Sequence, residues 1–398
     1  MLYNLYHYYK AWLEDHGMGF FRLFDYISFR AVLALILAFF FVVLVAKPTI
    51  RWLLKQKIGD NPEFHHKDLN QIMKQKANTP TMGGLMIVGA ILFCTLLLAD
   101  LTSFYIHMAL ICTVWLCVLG GFDDWLKLTS ARRTPNSREG LKFWEKMVFQ
   151  IGLAVLLGIF IHDHGITKFA GAEAVTPDMS HSLTLPFWKS WIYNEATGQY
   201  SPNIYIELGS IAFIFVTAFV VVGASNAVNL TDGMDGLASG VMAVSAFAFM
   251  VLAMIAGEEL VAKYLLVPYI PLSNELAVVA GAMVGSCLGF LWFNCHPAQV
   301  FMGDTGSLTL GGLIGYLAVV IRQEFLLLVI GGVFVMEAVS VLMQVGYFRF
   351  TGGRRIFRCA PIHHHFHLGG WTEQQVVVRF WLLSVLFTAI ALATIKLR

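Results

Sequence analysis

Long apolar runs separated by short polar loops constrain this chain more than any other feature of its sequence. A helix needs about 20 mostly apolar residues to cross roughly 30 Å of hydrocarbon, and every backbone N–H and C=O inside a bilayer must be bonded within the protein. Of the 398 residues, 58% are hydrophobic and only 13% are charged, against about 25% charged residues in ordinary soluble domains. The sequence therefore predicts an all-α integral membrane protein.

Ten stretches are long and apolar enough to be transmembrane helices. The segment before the first is too polar, and too rich in Tyr, His and acidic residues, for a cleaved signal peptide. We therefore expect the first span to act as its own insertion signal, and we interpret residues 1–398 as a single polytopic membrane domain. The expected spans are 29–46, 82–100, 105–122, 145–162, 204–224, 237–256, 275–293, 307–321, 325–346 and 376–396.

The distribution of basic residues predicts the orientation of these spans. One of the two alternating sets of loops contains 16 Lys and Arg, whereas the other set, which includes both termini, contains 8. Cytoplasmic loops carry the excess of Lys and Arg. We therefore expect both termini to be periplasmic, with an N-terminal periplasmic segment at 1–28 and a variable periplasmic loop at 163–203.

Every unusual polar stretch falls in the loops that we expect to be cytoplasmic. This one-sided pattern predicts an active-site cleft on the cytoplasmic face, because a channel or carrier would more often place its polar residues near mid-membrane. The stretches are T-P-T-M-G-G (79–84), G-G-F-D-D (120–124), N-L-T-D-G-M-D-G (229–236), F-N-C-H-P (293–297) with F-M-G-D-T-G-S (301–307), and A-P-I-H-H-H-F-H (360–367).

Two of these loops are acidic. Asp123 and Asp124 are adjacent, so on a helix they point in different directions and suit two roles, one binding a hard cation and the other orienting a phosphate or taking a proton. Asn229, Asp232 and Asp235 are spaced three apart, which places them along one face of a helical segment. A solvated turn is the ordinary interpretation of such a spacing, but no Lys or Arg neutralises this loop, which favours a cation or sugar ligand.

The F-M-G-D-T-G-S stretch directly precedes the eighth predicted span. A glycine-flanked turn before a helix presents free N–H groups and the positive end of the helix dipole, which together bind anions. A carboxylate beside such a turn implies a divalent ion that bridges Asp304 to phosphate oxygens. Asn294, ten residues earlier, adds an amide to the same loop.

The last cytoplasmic loop contains three consecutive histidines, His363, His364 and His365. Adjacent ligands cannot all face one zinc ion, so the run favours contacts with phosphate or sugar hydroxyls. Glu337 lies near the middle of the ninth span, where a charge costs about 2.5–3.5 kcal/mol. We expect it to face protein, or the helix to break near Gly331.

Other features indicate less. Six cysteines lie mostly within or beside apolar spans without a C-x-x-C pair, so buried thiols are expected rather than disulfides or a metal site. Basic residues of the first two cytoplasmic loops reflect orientation and attraction to anionic lipid, and one or two of them are candidates for binding phosphate. The net charge of +2 gives no indication of nucleic acid, and we expect no such partner.

In combination and order, the five motifs closely resemble those of the phospho-N-acetylmuramoyl-pentapeptide transferase family, within the polyprenyl-phosphate N-acetylhexosamine-1-phosphate transferase superfamily. The resemblance runs from about residue 30 onward and is weakest over 163–203. The motifs read T-P-T-M-G-G, G-F-D-D-W-L-K, N-L-T-D-G-M-D-G-L-A-S-G, F-N-C-H-P-A-Q-V-F-M-G-D-T-G-S and A-P-I-H-H-H-F.

The resemblance implies a ten-span enzyme of the bacterial cytoplasmic (inner) membrane with its active site in a cytoplasmic cleft, usually as a homodimer. It implies transfer of phospho-MurNAc-pentapeptide from UDP-MurNAc-pentapeptide to undecaprenyl phosphate, with Mg²⁺, giving lipid I and UMP in peptidoglycan synthesis. The expected partners are these two substrates, membrane lipids and a second copy of the chain.

Carried over residue by residue, the resemblance assigns Mg²⁺ to Asp304 and gives catalytic roles to Asp304, Asp123, Asp124 and His363, with Asp123 as a proposed base. Loop composition and resemblance together predict substrate-binding roles across all five loops. The predicted substrate-binding residues are Lys76, Thr81, Lys127, Lys142, Asn229, Asp232, Asp235, Asn294, Phe301, Gly303, Ser307, Gln344, His364 and His365.

Two alternative functions remain open. A sister transferase that acts on UDP-GlcNAc would carry a shorter, Arg-containing histidine motif, so P-I-H-H-H-F favours the muramoyl-peptide donor. A transporter of a lipid-linked sugar is favoured by Glu337 alone. The chain also departs from the family at His367, where an acidic residue is usual, and at Gly369, where a basic residue is frequent. Direct attack and a covalent aspartyl-phosphate route both remain open.

Overall fold

Helices dominate the structure, a computed structural model that describes residues 1–55, 79–133, 140–169, 181–185, 187–195, 197–203 and 206–396. Two short 3₁₀ helices, Gly19–Asp25 and Ser273–Glu275, precede α2 and α9. The α-helices are α1 (Leu2–Asp15), α2 (Ile27–Lys55), α3 (Gly84–Leu98), α4 (Phe104–Arg133), α5 (Phe143–Phe169), α6 (Ser210–Thr231), α7 (Leu237–Ala256), α8 (Glu259–Tyr264), α9 (Leu276–Asn294), α10 (Gly303–Val320), α11 (Glu324–Ile330), α12 (Gly332–Phe350), α13 (Ile362–His367) and α14 (Glu373–Lys396).

Four short strands lie between α5 and α6, three of them within the predicted variable loop 163–203 and the fourth just after it. β1 (Ser182–Leu183) pairs with β4 (Ile206–Glu207), and β2 (Trp191–Asn194) pairs with β3 (Gln199–Pro202), both antiparallel. The strands are a minor addition to a helical protein.

Eight helices among the described residues are long and apolar enough to cross a membrane, namely α2, α4, α5, α6, α7, α9, α12 and α14. They coincide with eight of the ten predicted spans, so the chain is a multi-pass helical membrane protein. The predicted span 82–100 corresponds to α3, which has only 15 residues. The predicted span 307–321 overlaps α10, which begins with the polar residues of the G-D-T-G-S stretch and ends at Val320.

Several predicted spans differ from the helices that the structure contains. The third, 105–122, continues to Arg133, so Asp123 and Asp124 lie inside α4 and not in a loop. The ninth, 325–346, is divided at Gly331 into α11 and α12, and Gly332 packs so closely on α14 that an added Cβ would lie 2.7 Å from the Phe387 ring. The fifth, 204–224, begins later and extends to Thr231, because strand residues occupy its start and no proline interrupts its end. Asn229 therefore lies in the last turn of a helix, not in a loop.

Small residues allow the helices at the centre of the bundle to approach closely. Gly281, Gly285 and Gly289 recur every four residues along α9, and a methyl group on Gly281 or Gly285 would collide with the backbone carbonyl of Ala31 or Leu35 on α2. Van der Waals packing of this kind, rather than hydrophobic burial, associates helices within lipid.

A buried ion pair joins the same helices at the end of the bundle away from the acidic motifs. Arg30 of α2 donates from Nη1 and Nη2 to the two carboxylate oxygens of Glu275, at 2.8 and 2.7 Å. The backbone N–H of Asp100, after α3, donates to the same carboxylate at 2.9 Å. Removing one partner of a buried pair typically costs about 3–5 kcal/mol, so this contact holds the starts of α2 and α9 and the end of α3 together.

Candidate active site

The described parts of the five polar loops meet at one end of the bundle. The N–H of Gly83 donates to the carbonyl of Phe301 at 2.8 Å, which joins the first loop to the fourth. The N–H of Gly236 donates to Oδ1 of Asn294 at 3.0 Å, which joins the third loop to the fourth. The second and last loops reach the same region through the contacts described next.

Two lysines and two carboxylates form the centre of this region. Nζ of Lys146, in the first turn of α5, lies 2.6 Å from Oδ2 of both Asp123 and Asp304. Nζ of Lys127 lies 2.7 Å from Oδ2 of Asp123 and 3.1 Å from Oδ2 of Asp304. Each ammonium group therefore bridges Asp123, in the second half of α4, to Asp304 at the start of α10.

Asp124 caps α10. Its Oδ1 accepts the N–H of Asp304 at 3.1 Å, and its Oδ2 accepts the N–H and the hydroxyl of Thr305 at 3.0 and 2.7 Å. A carboxylate at a helix N-terminus satisfies unpaired N–H groups and complements the helix dipole. The anion that occupies the predicted anion-binding turn is thus the chain's own Asp124.

Asp232 faces the same turn from the third loop. Burial, followed by the negative charges of Asp304 and Asp124, raises the pKa of Asp232 to about 7, and the backbone N–H of Gly303 acts in the opposite direction. Gly303 has a φ of +74°, and an added Cβ would lie 2.7 Å from Oδ2 of Asp124 and 2.9 Å from Oγ1 of Thr81. Only glycine fits this crowded left-handed position.

Asn229 and Ser307 complete the polar wall beside Asp304. Nδ2 of Asn229 lies 2.9 Å from Oδ1 of Asp304 and 2.9 Å from Oγ of Ser307. The hydroxyl of Ser307 donates to the carbonyl of Gly303 at 2.9 Å. Asp304 is therefore held from one side by an amide and from the other by two ammonium groups.

Asp235 belongs to a second cluster, not to the centre. Its Oδ2 lies 3.0 Å from Nδ1 of His296 and accepts the N–H of Ala298 at 3.1 Å, while its own N–H donates to Oε1 of Glu373 at 2.9 Å. Asn294 is buried, and its Nδ2 donates to the carbonyl of Val300 at 2.8 Å. These contacts hold the third and fourth loops against the start of α14.

The three histidines occupy different environments. His363 is fully buried and its Nδ1 lies 3.1 Å from Oε2 of Glu337, which is also fully buried. His364 is buried as well. Nδ1 of His365 accepts the N–H of Arg358 at 3.1 Å.

Gln344 organises the segment that leads to the histidines. Its Oε1 accepts the backbone N–H groups of Ile356 and Phe357 at 3.1 and 2.9 Å. The side chain thereby ties the last loop to α12, and its amide is engaged with backbone.

Lys142, one of the predicted substrate-binding lysines, lies outside this centre. Lys76 is outside the described residues. Lys142 is exposed at the residue before α5, and its N–H donates to Oε2 of Glu145 at 2.8 Å. The lysine of this segment that reaches the carboxylates is Lys146, which the motifs did not identify. A basic residue in the first turn of an apolar helix opposes the helix dipole, and that was the one signal of an acidic partner.

The centre is chemically suited to Mg²⁺. Oxygens of Asp123, Asp124 and Asp304 all lie within 4.8 Å of one another, and carboxylate oxygens are the ligands that Mg²⁺ prefers. Three carboxylates and two lysines meet here, so negative charge is in excess, and the charges of Asp304 and Asp124 add to the effect of burial in raising the pKa of Asp232. Asp235, His296 and Glu373 form a second group with this spacing among the described residues.

An apolar groove leads along the bundle toward this centre. It lies between α6 and the broken pair α11–α12 and encloses about 430 Å³. Its walls include Phe219, Gly223, Val228, Phe334 and Val335. Val228 directly precedes Asn229, so the groove ends beside the polar site.

Fold and site define a class: a multi-pass membrane protein whose loops form a carboxylate- and lysine-rich site at one end of its helices. A family model described as glycosyl transferase family 4 matches residues 106–322, and signature 1 of the phospho-N-acetylmuramoyl-pentapeptide-transferases matches residues 76–88.

Curated relatives named phospho-N-acetylmuramoyl-pentapeptide-transferase match nearly the whole chain. The protein of Desulfotalea psychrophila is 43% identical over 95% of this chain and 96% of its own length. That of Thermodesulfovibrio yellowstonii is 41% identical over 97% and 98%, and that of Nitratidesulfovibrio vulgaris is 43% identical over the full length of both. The chain belongs to the phospho-N-acetylmuramoyl-pentapeptide-transferase family.

Proposed function

We propose that this chain transfers phospho-MurNAc-pentapeptide from UDP-MurNAc-pentapeptide to undecaprenyl phosphate, forming lipid I and UMP for peptidoglycan synthesis. The observation that carries the proposal is the cluster of Asp123, Lys127, Lys146 and Asp304, in a chain that matches named transferases from end to end. Paired lysines offset the charge of two phosphate-bearing substrates, and the carboxylates provide a site for a divalent cation.

The proposed reaction is a single displacement at phosphorus. An oxygen of the lipid phosphate attacks the sugar-bearing phosphorus of the donor, a new P–O bond forms, and the bond from that phosphorus to the UMP oxygen breaks. UMP leaves with the electron pair. A phosphate oxygen is already ionised at neutral pH, so positioning and charge neutralisation contribute more than proton removal.

The environment of Asp123 supports direct attack by the lipid. Its Oδ1 accepts the N–H of Leu141 at 2.6 Å, and its Oδ2 contacts both Lys127 and Lys146. The side chain is also fully buried. A carboxylate held in this way is poorly placed to attack phosphorus itself, so we propose that Asp123 positions the lysines and is neither nucleophile nor base.

Asp304 and Asp123 are the residues proposed to hold Mg²⁺. When bound, the ion would supply positive charge to the pyrophosphate oxygens of the donor. Lys127 and Lys146 would then turn toward the substrate phosphates, while Asn229 keeps Asp304 in place through the bond to its Oδ1.

The apolar groove is proposed to hold the polyprenyl chain of the acceptor. It is open to the side of the bundle, it is lined almost entirely by apolar side chains, and it ends beside Asn229. A lipid chain in this groove would place its phosphate next to the lysines without leaving the bilayer.

The proposed topology places the site on the cytoplasmic side of the bacterial inner membrane and both termini in the periplasm. The excess of Lys and Arg in the loops at the site end supports this orientation. We count α3 and α10 as spans and the broken pair α11–α12 as one span. Together with α2, α4, α5, α6, α7, α9 and α14, these give ten. A homodimer is proposed from the family resemblance.

A donor comparison tests the function. Purified protein, undecaprenyl phosphate and Mg²⁺ are incubated with UDP-MurNAc-pentapeptide or with UDP-GlcNAc, and UMP release is measured. We expect release with the first donor only, with loss of release in Asp304→Asn and retention in Glu259→Gln, a control on the short helix α8. Release with UDP-GlcNAc alone would assign the chain to the sister activity, and release with neither donor would contradict transferase function.

A further inference from the structure

Glu337 and His363 form a buried pair that the transfer reaction described above does not use. Oε2 of Glu337 lies 3.1 Å from Nδ1 of His363, and neither side chain is exposed. A neutral imidazole that donates from Nδ1 to a carboxylate has its tautomer and ring orientation fixed. Among the described residues, Nε2 of His363 has no hydrogen-bond partner.

The edge of the His363 imidazole that carries Nε2 lies against Gly233 in the third loop. A Cβ built on Gly233 would lie 2.5 Å from Nε2 and 2.8 Å from Cε1 of His363. The φ of Gly233 is not in the left-handed region, whereas Gly236, three residues on, has a φ of +80°. The His363 ring therefore leaves no room for a side chain at position 233. At position 236, the left-handed backbone conformation favours glycine.

Gly233 directly follows Asp232, which faces Gly303 at the start of α10. The ring of His363 thus supports the segment that carries Asp232 into the site. Burial of the Glu337 carboxylate at membrane depth costs free energy. In return, the carboxylate orients His363, whose ring supports the segment that carries Asp232.

We propose that Glu337 and His363 are a positioning pair that holds segment 231–236, and through it Asp232, against α10, without touching the reacting groups. The activity readout below rests on the proposed function, but the exchange readout does not. The two substitutions used differ in what they remove. Asn at position 363 keeps an N–H able to reach Glu337 but lacks the ring edge that contacts Gly233, whereas Gln at position 337 weakens the bond that orients the ring.

Amide hydrogen exchange of the full chain in detergent tests the support directly. We expect Glu337→Gln and His363→Asn each to speed exchange within 229–236 about tenfold, because the amides of this segment open locally when their support is removed. Exchange within 281–289 on α9 should not change. The matched control is Glu324→Gln, which alters another buried glutamate of the broken span and should leave 229–236 unaffected. Unchanged exchange in both test variants would overturn the proposal.

A double-mutant cycle tests the steric contact between His363 and Gly233. Gly233→Ala should reduce turnover at least tenfold in the wild-type background but less than threefold in His363→Asn, where the ring edge is gone. Gly236→Ala, whose cost arises from backbone strain, should reduce turnover by the same factor in both backgrounds. An equal cost of Gly233→Ala in the two backgrounds would show that the ring does not act through this glycine. If the protein has no transferase activity, the exchange experiment alone decides the proposal.

Discussion

The ammonium nitrogen of Lys146 lies 2.6 Å from Oδ2 of Asp304, although 158 positions separate the two residues in the sequence. The contact joins the first turn of α5 to the first turn of α10. It places a positive charge next to the carboxylate proposed to hold Mg²⁺, where the phosphates of both substrates would meet in the proposed reaction.

Replacement of this lysine gives the first prediction. We expect Lys146→Gln to reduce kcat about 10²- to 10³-fold, because a preorganised charge in a water-poor site is lost. Lys142→Gln, four residues earlier and exposed, is the matched control and should retain near-normal turnover in the UMP-release assay. An equal loss in the two variants would exclude a special role for Lys146.

The capping of α10 gives the second prediction. Thr305→Val removes the hydroxyl that donates to Asp124 at 2.7 Å while keeping the shape of the side chain. Hydrogen bonds to charged groups contribute about 1.5–3 kcal/mol, so the thermal unfolding midpoint should fall. The control is Thr129→Val, whose hydroxyl bonds only carbonyls of its own helix, at 2.9 and 3.2 Å, and whose midpoint should change little. A fall of equal size in the control would contradict the capping role.

The two acidic clusters give the third prediction. Activity should require Mg²⁺, should be lost on chelation and should return when Mg²⁺ is restored. Asp304→Asn should abolish the saturable response to Mg²⁺, whereas Asp235→Asn, in the cluster with His296, should shift the KM for the donor without changing the half-saturating Mg²⁺ concentration. If Asp235→Asn instead abolished the response to Mg²⁺ and Asp304→Asn only shifted the KM for the donor, the metal site would be assigned to the cluster of Asp235, His296 and Glu373.

The apolar groove gives the fourth prediction. Gly223 lines the groove, and a Cβ added there meets no atom within 4 Å, so Gly223→Trp should fill the groove without disturbing the helix. We expect the KM for undecaprenyl phosphate to rise about tenfold and the KM for the nucleotide donor to stay constant. Gly152→Trp, an equally open glycine on α5, is the control and should leave both constants near normal. Unchanged acceptor KM in Gly223→Trp would exclude the groove as the lipid site.

Much of the fold could be predicted because the length of each apolar run determines whether it forms a membrane-spanning helix. Eight apolar runs became long helices, and the break at Gly331 follows from adjacent glycines beside a buried charge. The gathering of polar motifs at one end also followed from alternation of the loops. Physical constraints on backbone hydrogen bonding in lipid leave few alternatives to this outcome.

The partners of individual side chains could not be predicted, because tertiary packing selects them. Lys142 and Lys146 are four residues apart and chemically identical, and only the position of α5 against α4 and α10 brings Lys146 to Asp304. The turn before α10 was interpreted as a site for phosphate, and in the structure its N–H groups bond the carboxylate of Asp124, which nothing local to the turn indicates. Glu337 likewise gave a signal of function without indicating His363 as its partner.

Detection of the lipid product by mass spectrometry tests the central claim most directly. Wild-type protein and Asp304→Asn are incubated with UDP-MurNAc-pentapeptide, undecaprenyl phosphate and Mg²⁺, and both the lipid and the nucleotide products are identified. The wild type should form undecaprenyl-diphospho-MurNAc-pentapeptide and UMP in equal amounts, and Asp304→Asn should form neither. Unequal products, or lipid I formed by Asp304→Asn at the wild-type rate, would contradict a transfer reaction centred on this carboxylate.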